Sequence, residues 1–138
     1  MAATLRLEIV TPESRAYSDD VEFVVLPAVE GEMGVFPMHV PLITAIKPGE
    51  LVVTKSGKTT HLAVGEGFVE VTGDKVSVLV DMALTEEAID EKAAEEAVKR
   101  AEARLKEEHL DGEESALVQA AIAKSLAQLH VKRRRRGI

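Results

Sequence analysis

No cysteine occurs in the 138 residues. Disulfides, thiolate nucleophiles and cysteine-held zinc are therefore excluded. Tryptophan is absent too, and aromatic residues make up only 3% of the chain. Since 46% of residues are hydrophobic, a core can form, but it must be aliphatic. No apolar run reaches the roughly 18 residues of a membrane-spanning helix. The opening stretch "MAATLRLEIV" has no basic segment ahead of an apolar one and runs straight into a strand-like pattern. No signal peptide is expected from it. Proline disappears after Pro48, and no aromatic residue or proline follows residue 84.

That last absence divides the chain. Its first part reads as strands. "TLRLEIV" alternates Leu5, Leu7 and Ile9 with Arg6 and Glu8, the period of a half-buried strand. "VEFVVLP" reads as a strand ending at Pro27, and "VPLITAI" as one ending at a "KPGE" turn. "ELVVTK" and "THLAVGEG" flank Ser56-Gly57, while "FVEVT" and "KVSVLV" flank Gly73-Asp74, which predicts two hairpins. Short strands so closely spaced indicate an antiparallel sandwich or barrel.

The remainder, residues 85–138, reads as two helices. Thr85 or Asp90 is expected to cap the first, with Ala94, Ala97, Val98, Ala101 and Leu105 on one face. "HLDGEE" interrupts the pattern, with Gly112 as the expected turn residue. Val118, Ala121, Ile122, Leu126 and Leu129 then give the second helix an apolar face. A short connection predicts an antiparallel hairpin. Its seam is mostly alanine. At roughly 25 cal/mol per Å² of apolar surface, small side chains give a weak hold, so the hairpin is expected to be a separable appendage.

Net charge is −7, with 17 basic and 24 acidic residues. Five of the positive charges are consecutive: Lys132, Arg133, Arg134, Arg135 and Arg136. The rest of the chain thus carries −12. An acidic body argues against non-specific nucleic-acid binding. The basic tail has three readings: a solvated end, a contact for nucleic acid or anionic lipid, or a dock for an acidic protein segment.

Few residues suggest chemistry. "EGEMGVFPMHVPLIT" brings Glu30, Glu32 and His39 among glycines and prolines. Its composition favours a chain reversal or partner surface over general acid–base catalysis, which needs placement that spacing alone does not supply. "SGKTT" resembles the end of a phosphate loop, but Val52 occupies the position of the first required glycine and a strand follows. His39, His61, His109 and His130 lack zinc-ligand spacing. No catalytic residue, metal site or cofactor is expected.

The segment "GEMGVFPMHVPLITAIKPGEL", with the glutamate before it, resembles the signature of the epsilon subunit of bacterial F-type ATP synthases. That signature is an E-G-E-x-G loop followed by an aromatic-P-x-H-x-P-L run and a T-A-[IL]-K-P-G turn, met from Glu30 through Gly49. The order of the other segments is similar as well. The resemblance implies a flattened β-sandwich of about ten strands over residues 1–84 and a regulatory helical hairpin over 85–138. It implies a non-catalytic subunit of the central stalk, at the cytoplasmic face of the bacterial plasma membrane. The implied partners are the gamma subunit, the membrane c-ring and, when the hairpin extends, the alpha/beta hexamer, whose ATP hydrolysis it would inhibit. Glu30, Gly31 and Glu32 match the loop facing the c-ring, and His39 matches the motif histidine near the stalk interface. Some members bind ATP through an [IL]-D-x-x-R-A motif. Here Ile89, Asp90 and Ala94 remain, Ala93 replaces the arginine and Arg100 lies further along. The second helix offers Lys124 but Gln128 where a second basic residue would stand. Weak or absent ATP binding is implied. The tail is expected to brace an acidic segment of the hexamer, although the acidic body competes for it. An alternative from another class is a β-sandwich adaptor whose helical tail binds some other acidic protein or RNA.

Overall fold

The computed structural model describes residues 3–107 and 109–134. Ten strands come first: β1 Leu5–Val10, β2 Arg15–Val21, β3 Phe23–Ala28, β4 Gly31–Val35, β5 Leu42–Ile46, β6 Gly49–Lys55, β7 Lys58–Val64, β8 Gly67–Thr72, β9 Lys75–Val80 and β10 Ala83–Thr85. A 3₁₀ turn at Glu86–Ala88 leads into α1, Glu91–Glu107, and α2, Gly112–Arg134.

The strands form one sheet in the order β10-β7-β6-β3-β5-β8-β9-β1-β2, with β4 added to β3. All pairings are antiparallel except β1 with β9. The sheet turns over at β3. One edge of this strand pairs with β6 from Phe23 to Val25 and with β5 at Ala28. Pro27 lies between these two pairings, inside the strand rather than at its end. A proline there costs little, because its missing N–H falls where the edge passes from one partner to the next. Its carbonyl still accepts from Lys47 N at 3.0 Å. Gly49 is required at this corner, since a Cβ on it would lie 2.9 Å from Pro27 Cβ.

Alternation does the rest. Leu5, Leu7 and Ile9 of β1, Val24 and Leu26 of β3, Leu51 and Val53 of β6, and Val76, Val78 and Val80 of β9 meet in one aliphatic core. Ser56 (φ 52°) and Gly57 (φ 77°) make the two-residue turn predicted between β6 and β7, closing the Lys55–Lys58 pair. Three strands escaped the sequence pattern: β2, which reads as the polar "RAYSDDV", the short β10, and β4, which occupies the first part of the glycine-rich loop. Half of that presumed chain reversal is therefore extended sheet.

The hairpin forms with two corrections. Asp90 caps α1, accepting from Ala93 N at 3.0 Å, while Thr85 precedes the 3₁₀ turn and makes no side-chain cap. Gly112 is not a turn residue. It is the first residue of α2, because Asp111 caps this helix by accepting from Glu114 N at 2.7 Å. The helix α2 lies across β6 and β7, and α1 packs on α2. A small second cluster joins Ala63 on the outside of β7 to Ile89 and Val131.

Candidate partner-binding surfaces

The sheet has two outer faces, and they differ. Over β6 and β7 lies α2. Among the described residues no helix lies over the outer face of β5, β8, β9 and β1. Cross-strand register aligns Ala45, Phe68, Leu79 and Val10 in one row across these four strands. Phe68 is 47% and Leu79 41% exposed, and Ile43, next on the same face of β5, is 66% exposed. The chain entering β5 adds exposed Met38 and Val40. A contiguous apolar strip on an uncovered face marks an interaction surface. Sequence patterning missed it, though the apolar residues on both faces of "VPLITAI" and "KVSVLV" were the available signal.

The residues singled out in the glycine-rich segment divide between two places. Glu30 stands at the tip of the β3–β4 hairpin, where Val29 and Glu30 span the Ala28–Gly31 pair. Gly31 takes φ 130°, which favours glycine. Glu32 is exposed on β4 opposite Pro27. His39 lies beyond the other end of β4, a strand of five residues, so it is separated from the tip by roughly 17 Å at about 3.4 Å per residue. Its Nδ1 lies 2.6 Å from Val40 O, which assigns the ring proton to that nitrogen. The left-handed Met38 (φ 67°) is held by donating its N–H to Asp74 Oδ1 at 3.1 Å, and Phe36 stacks on Phe23. Glu30, Gly31, Glu32 and His39 thus lie in two separate places and form no convergent acid–base site.

At the start of α1, the residues of the nucleotide motif have structural work. Ile89 is buried against Ala63 and Val131, Asp90 is the cap, and Ala94 is buried. Arg100 is exposed two turns along α1. Lys124 pairs with Asp81 at 3.3 Å, and Gln128 Nε2 lies 3.0 Å from Met82 Sδ.

The basic end of α2 is engaged by the body. Lys132 Nζ donates to Glu86 O at 3.1 Å. Arg133 Nε donates to Glu91 Oε2 at 2.8 Å, and its guanidinium also bonds Glu95. The bond to Glu91, then that to Glu95, holds the Arg133 pKa above its ordinary value. Arg134 bonds Glu50 of β6, whose other oxygen lies 3.0 Å from His61 Nδ1. Arg135 and Arg136 lie outside the described residues. Among the described residues no cluster of three metal-ligating side chains stands together, and no helix is long and apolar enough to cross a membrane.

Comparison with known proteins accounts for this layout. Residues 4–86 match the family described as ATP synthase, Delta/Epsilon chain, beta-sandwich domain. Residues 87–133 match its long alpha-helix domain. The ATP synthase epsilon chain of Dehalococcoides mccartyi (strain BAV1) is 41% identical over 134 residues, covering 97% of this chain and 96% of that one. That of Desulforamulus reducens is 47% identical over 105 residues, covering 76% and 80%. A chain in the Euglena gracilis mitochondrial ATP synthase assembly of OSCP, F1 and c-ring shares the fold, with TM-score 0.76 and 23% identity over 91% of this chain and 79% of that one. A chain in the Tetrahymena thermophila central stalk and c-ring shares it at TM-score 0.66 and 10% identity, over 92% and 95%. Sandwich, hairpin and sequence agree throughout, and the chain belongs to the ATP synthase delta/epsilon family, among its epsilon chains.

Proposed function

We propose that this chain is the non-catalytic central-stalk subunit that links gamma to the c-ring in a bacterial F-type ATP synthase, peripheral to the cytoplasmic face of the plasma membrane. The observation that carries this reading is the Ala45–Phe68–Leu79–Val10 row on the face that α2 leaves bare. Its apolar side chains suit a permanent subunit contact, which we assign to gamma. The Glu30–Glu32 hairpin projects from the β3–β4 corner and presents carboxylates to the polar loops of the c-ring. Residues 1–84 are the docking unit and 85–138 the regulatory one, with the hairpin reaching the alpha/beta hexamer and restraining hydrolysis when it leaves the sandwich. An adaptor for RNA is disfavoured by an acidic body and by family membership.

Co-purification with gamma tests the assignment. The doubly substituted Phe68→Glu, Leu79→Glu chain should lose its stoichiometric complex with gamma while keeping its circular dichroism and melting profile, because both side chains are already solvent-exposed. Undiminished complex formation by this variant would place gamma elsewhere.

A further inference from the structure

An antiparallel hairpin places the end of α2 beside the beginning of α1. Here the end of α2 is basic, "VKRR", and the beginning of α1 is acidic, with Glu91 and Glu95 one turn apart on one face. Arg133 bridges both carboxylates. One residue further, Arg134 reaches Glu50 of β6, so the contact ties the hairpin to the sandwich as well as to itself. Lys132 adds the carbonyl of Glu86, in the turn where the chain leaves β10. These charges are complemented by the helix dipoles, since acidic groups favour an N-terminus and basic groups a C-terminus. The apolar seam alongside is thin: α1 buries Ala94, and α2 buries Val118, Ala127, Leu129 and Val131.

We propose that Glu50, Glu91 and Glu95 form an ionic clasp that holds the basic end of α2 in the packed hairpin and keeps it from any other acidic partner. The two engagements use the same guanidinium groups. An acidic segment elsewhere can therefore meet Arg133 and Arg134 only when the clasp has opened, and the clasp sets how often the hairpin is free. Opening exposes no large apolar core, so a modest change in ionic strength shifts the balance. The clasp belongs to the isolated chain and does not rest on the function proposed above.

The absence of cysteine makes a direct test possible, because two introduced thiols would be the only ones. Spin labels at Glu13→Cys, in the exposed β1–β2 turn, and Gln119→Cys, exposed on α2, report the separation of hairpin and sandwich. At low salt the labelled chain should give one narrow distance population. Arg133→Glu should add a longer, broader population, raising the open fraction about fivefold, the scale of a few partly exposed ion pairs. Glu91→Arg with Glu95→Arg should do the same. Combining these substitutions with Arg133→Glu reverses the clasp and should restore much of the narrow population, short of the unmodified chain because the reversed charges oppose the helix dipoles. Salt of about 1 M, where the Debye length is about 3 Å, should open the unmodified chain and have less effect on Arg133→Glu. An unchanged distance distribution in Arg133→Glu, or a failure of the reversed clasp to close, would overturn the proposal.

Discussion

The sandwich and the hairpin occupy one chain but are held by different forces. Strands β1 to β9 all contribute leucine, isoleucine or valine to a single core, most of it fully inaccessible. The hairpin buries a handful of smaller or isolated side chains and adds ion pairs at the middle and the C-terminal end of α2: Lys124 with Asp81, and the arginine cluster with Glu50, Glu91 and Glu95. Apolar burial of the first kind is lost only when the sheet comes apart. Contacts of the second kind are exchanged with water and salt at little cost. Under the proposed function a docking unit needs the former and a regulatory arm the latter, so the difference in side-chain chemistry fits the proposed division of labour.

Truncating one leucine in each region gives the sharpest contrast. Leu7 is wholly buried between neighbouring strands, so Leu7→Ala should cost about 2–5 kcal/mol of global stability, read by denaturant unfolding. Leu129 is buried at the helix seam. Leu129→Ala should shift the global midpoint less than half as much, while hydrogen exchange accelerates across α1 and α2 and stays slow in β1 and β9. Equal losses of stability, with exchange rising uniformly, would mean that hairpin and sandwich unfold as one unit and would break the comparison.

Different parts of this arrangement were legible to different degrees. Period-two alternation exposed β1, and turn chemistry exposed the β6–β7 hairpin, because those signals are local. The strand β2 carries "SDD" on its way to Val21 and buries little else, so its residues resemble a loop. The strand β4 has glycine at two of its five positions and exists through pairing with β3. On α2 the apolar period suggested Leu126 as a core residue, yet it is 49% exposed, while Ala127 and Val131 face inward. A helix lying on a sheet buries the face that the sheet reaches, which is a tertiary fact. The clasp depended on the same kind of fact: Arg134 and Glu50 are 84 residues apart. The bare apolar row likewise required the register of four strands.

Within the sandwich one ion pair supplies a smaller effect. Lys55, at the end of β6, bonds Asp19 of β2. The Lys55 hydrogen bond, then the one from Asp20 N–H, lowers the Asp19 pKa, and the bond to Asp19 raises that of Lys55. A depressed carboxylate contributes stability above its unfolded value of about 3.9 and loses it as pH falls through the folded value. A raised lysine contributes below its unfolded value of about 10.4 and loses it as pH rises through the folded one. Tyr17 also has a raised pKa, from burial first and Asp19 second, so the acid side is the cleaner test. The melting temperature of the unmodified chain should exceed that of Asp19→Asn at neutral pH, and the gap should close as pH falls below about 4. A gap independent of pH would assign the effect to packing.

Nucleotide should have the smallest effect, and its absence sharpens the contrast between a hairpin held by its own charges and one held by a ligand. A triphosphate between α1 and α2 needs several positive groups converging on it, with charge-assisted bonds as the strong ones. In this chain Ala93 supplies none, Lys124 is occupied by Asp81, Gln128 is neutral, and Arg133 is bridged to Glu91 and Glu95. The cavity beside Arg134, between β7, the 3₁₀ turn and the end of α2, is also lined by Glu86 and Glu87, whose carboxylates oppose phosphate. Stabilisation by a ligand grows as RT ln(1 + [L]/Kd), so at a Kd above about 10 mM, addition of about 1 mM ATP should move the melting temperature by less than about 0.5 °C. The interlabel distance between sandwich and α2 should be equally unmoved. Ala93→Arg alone should not change either result, because the new guanidinium would lie one turn from the Asp90 carboxylate, with no cationic neighbour at Gln128. A rise of several degrees with the unmodified chain would overturn this expectation, and a loss of that rise in Arg133→Glu would assign the phosphate to Arg133 in competition with Glu91 and Glu95.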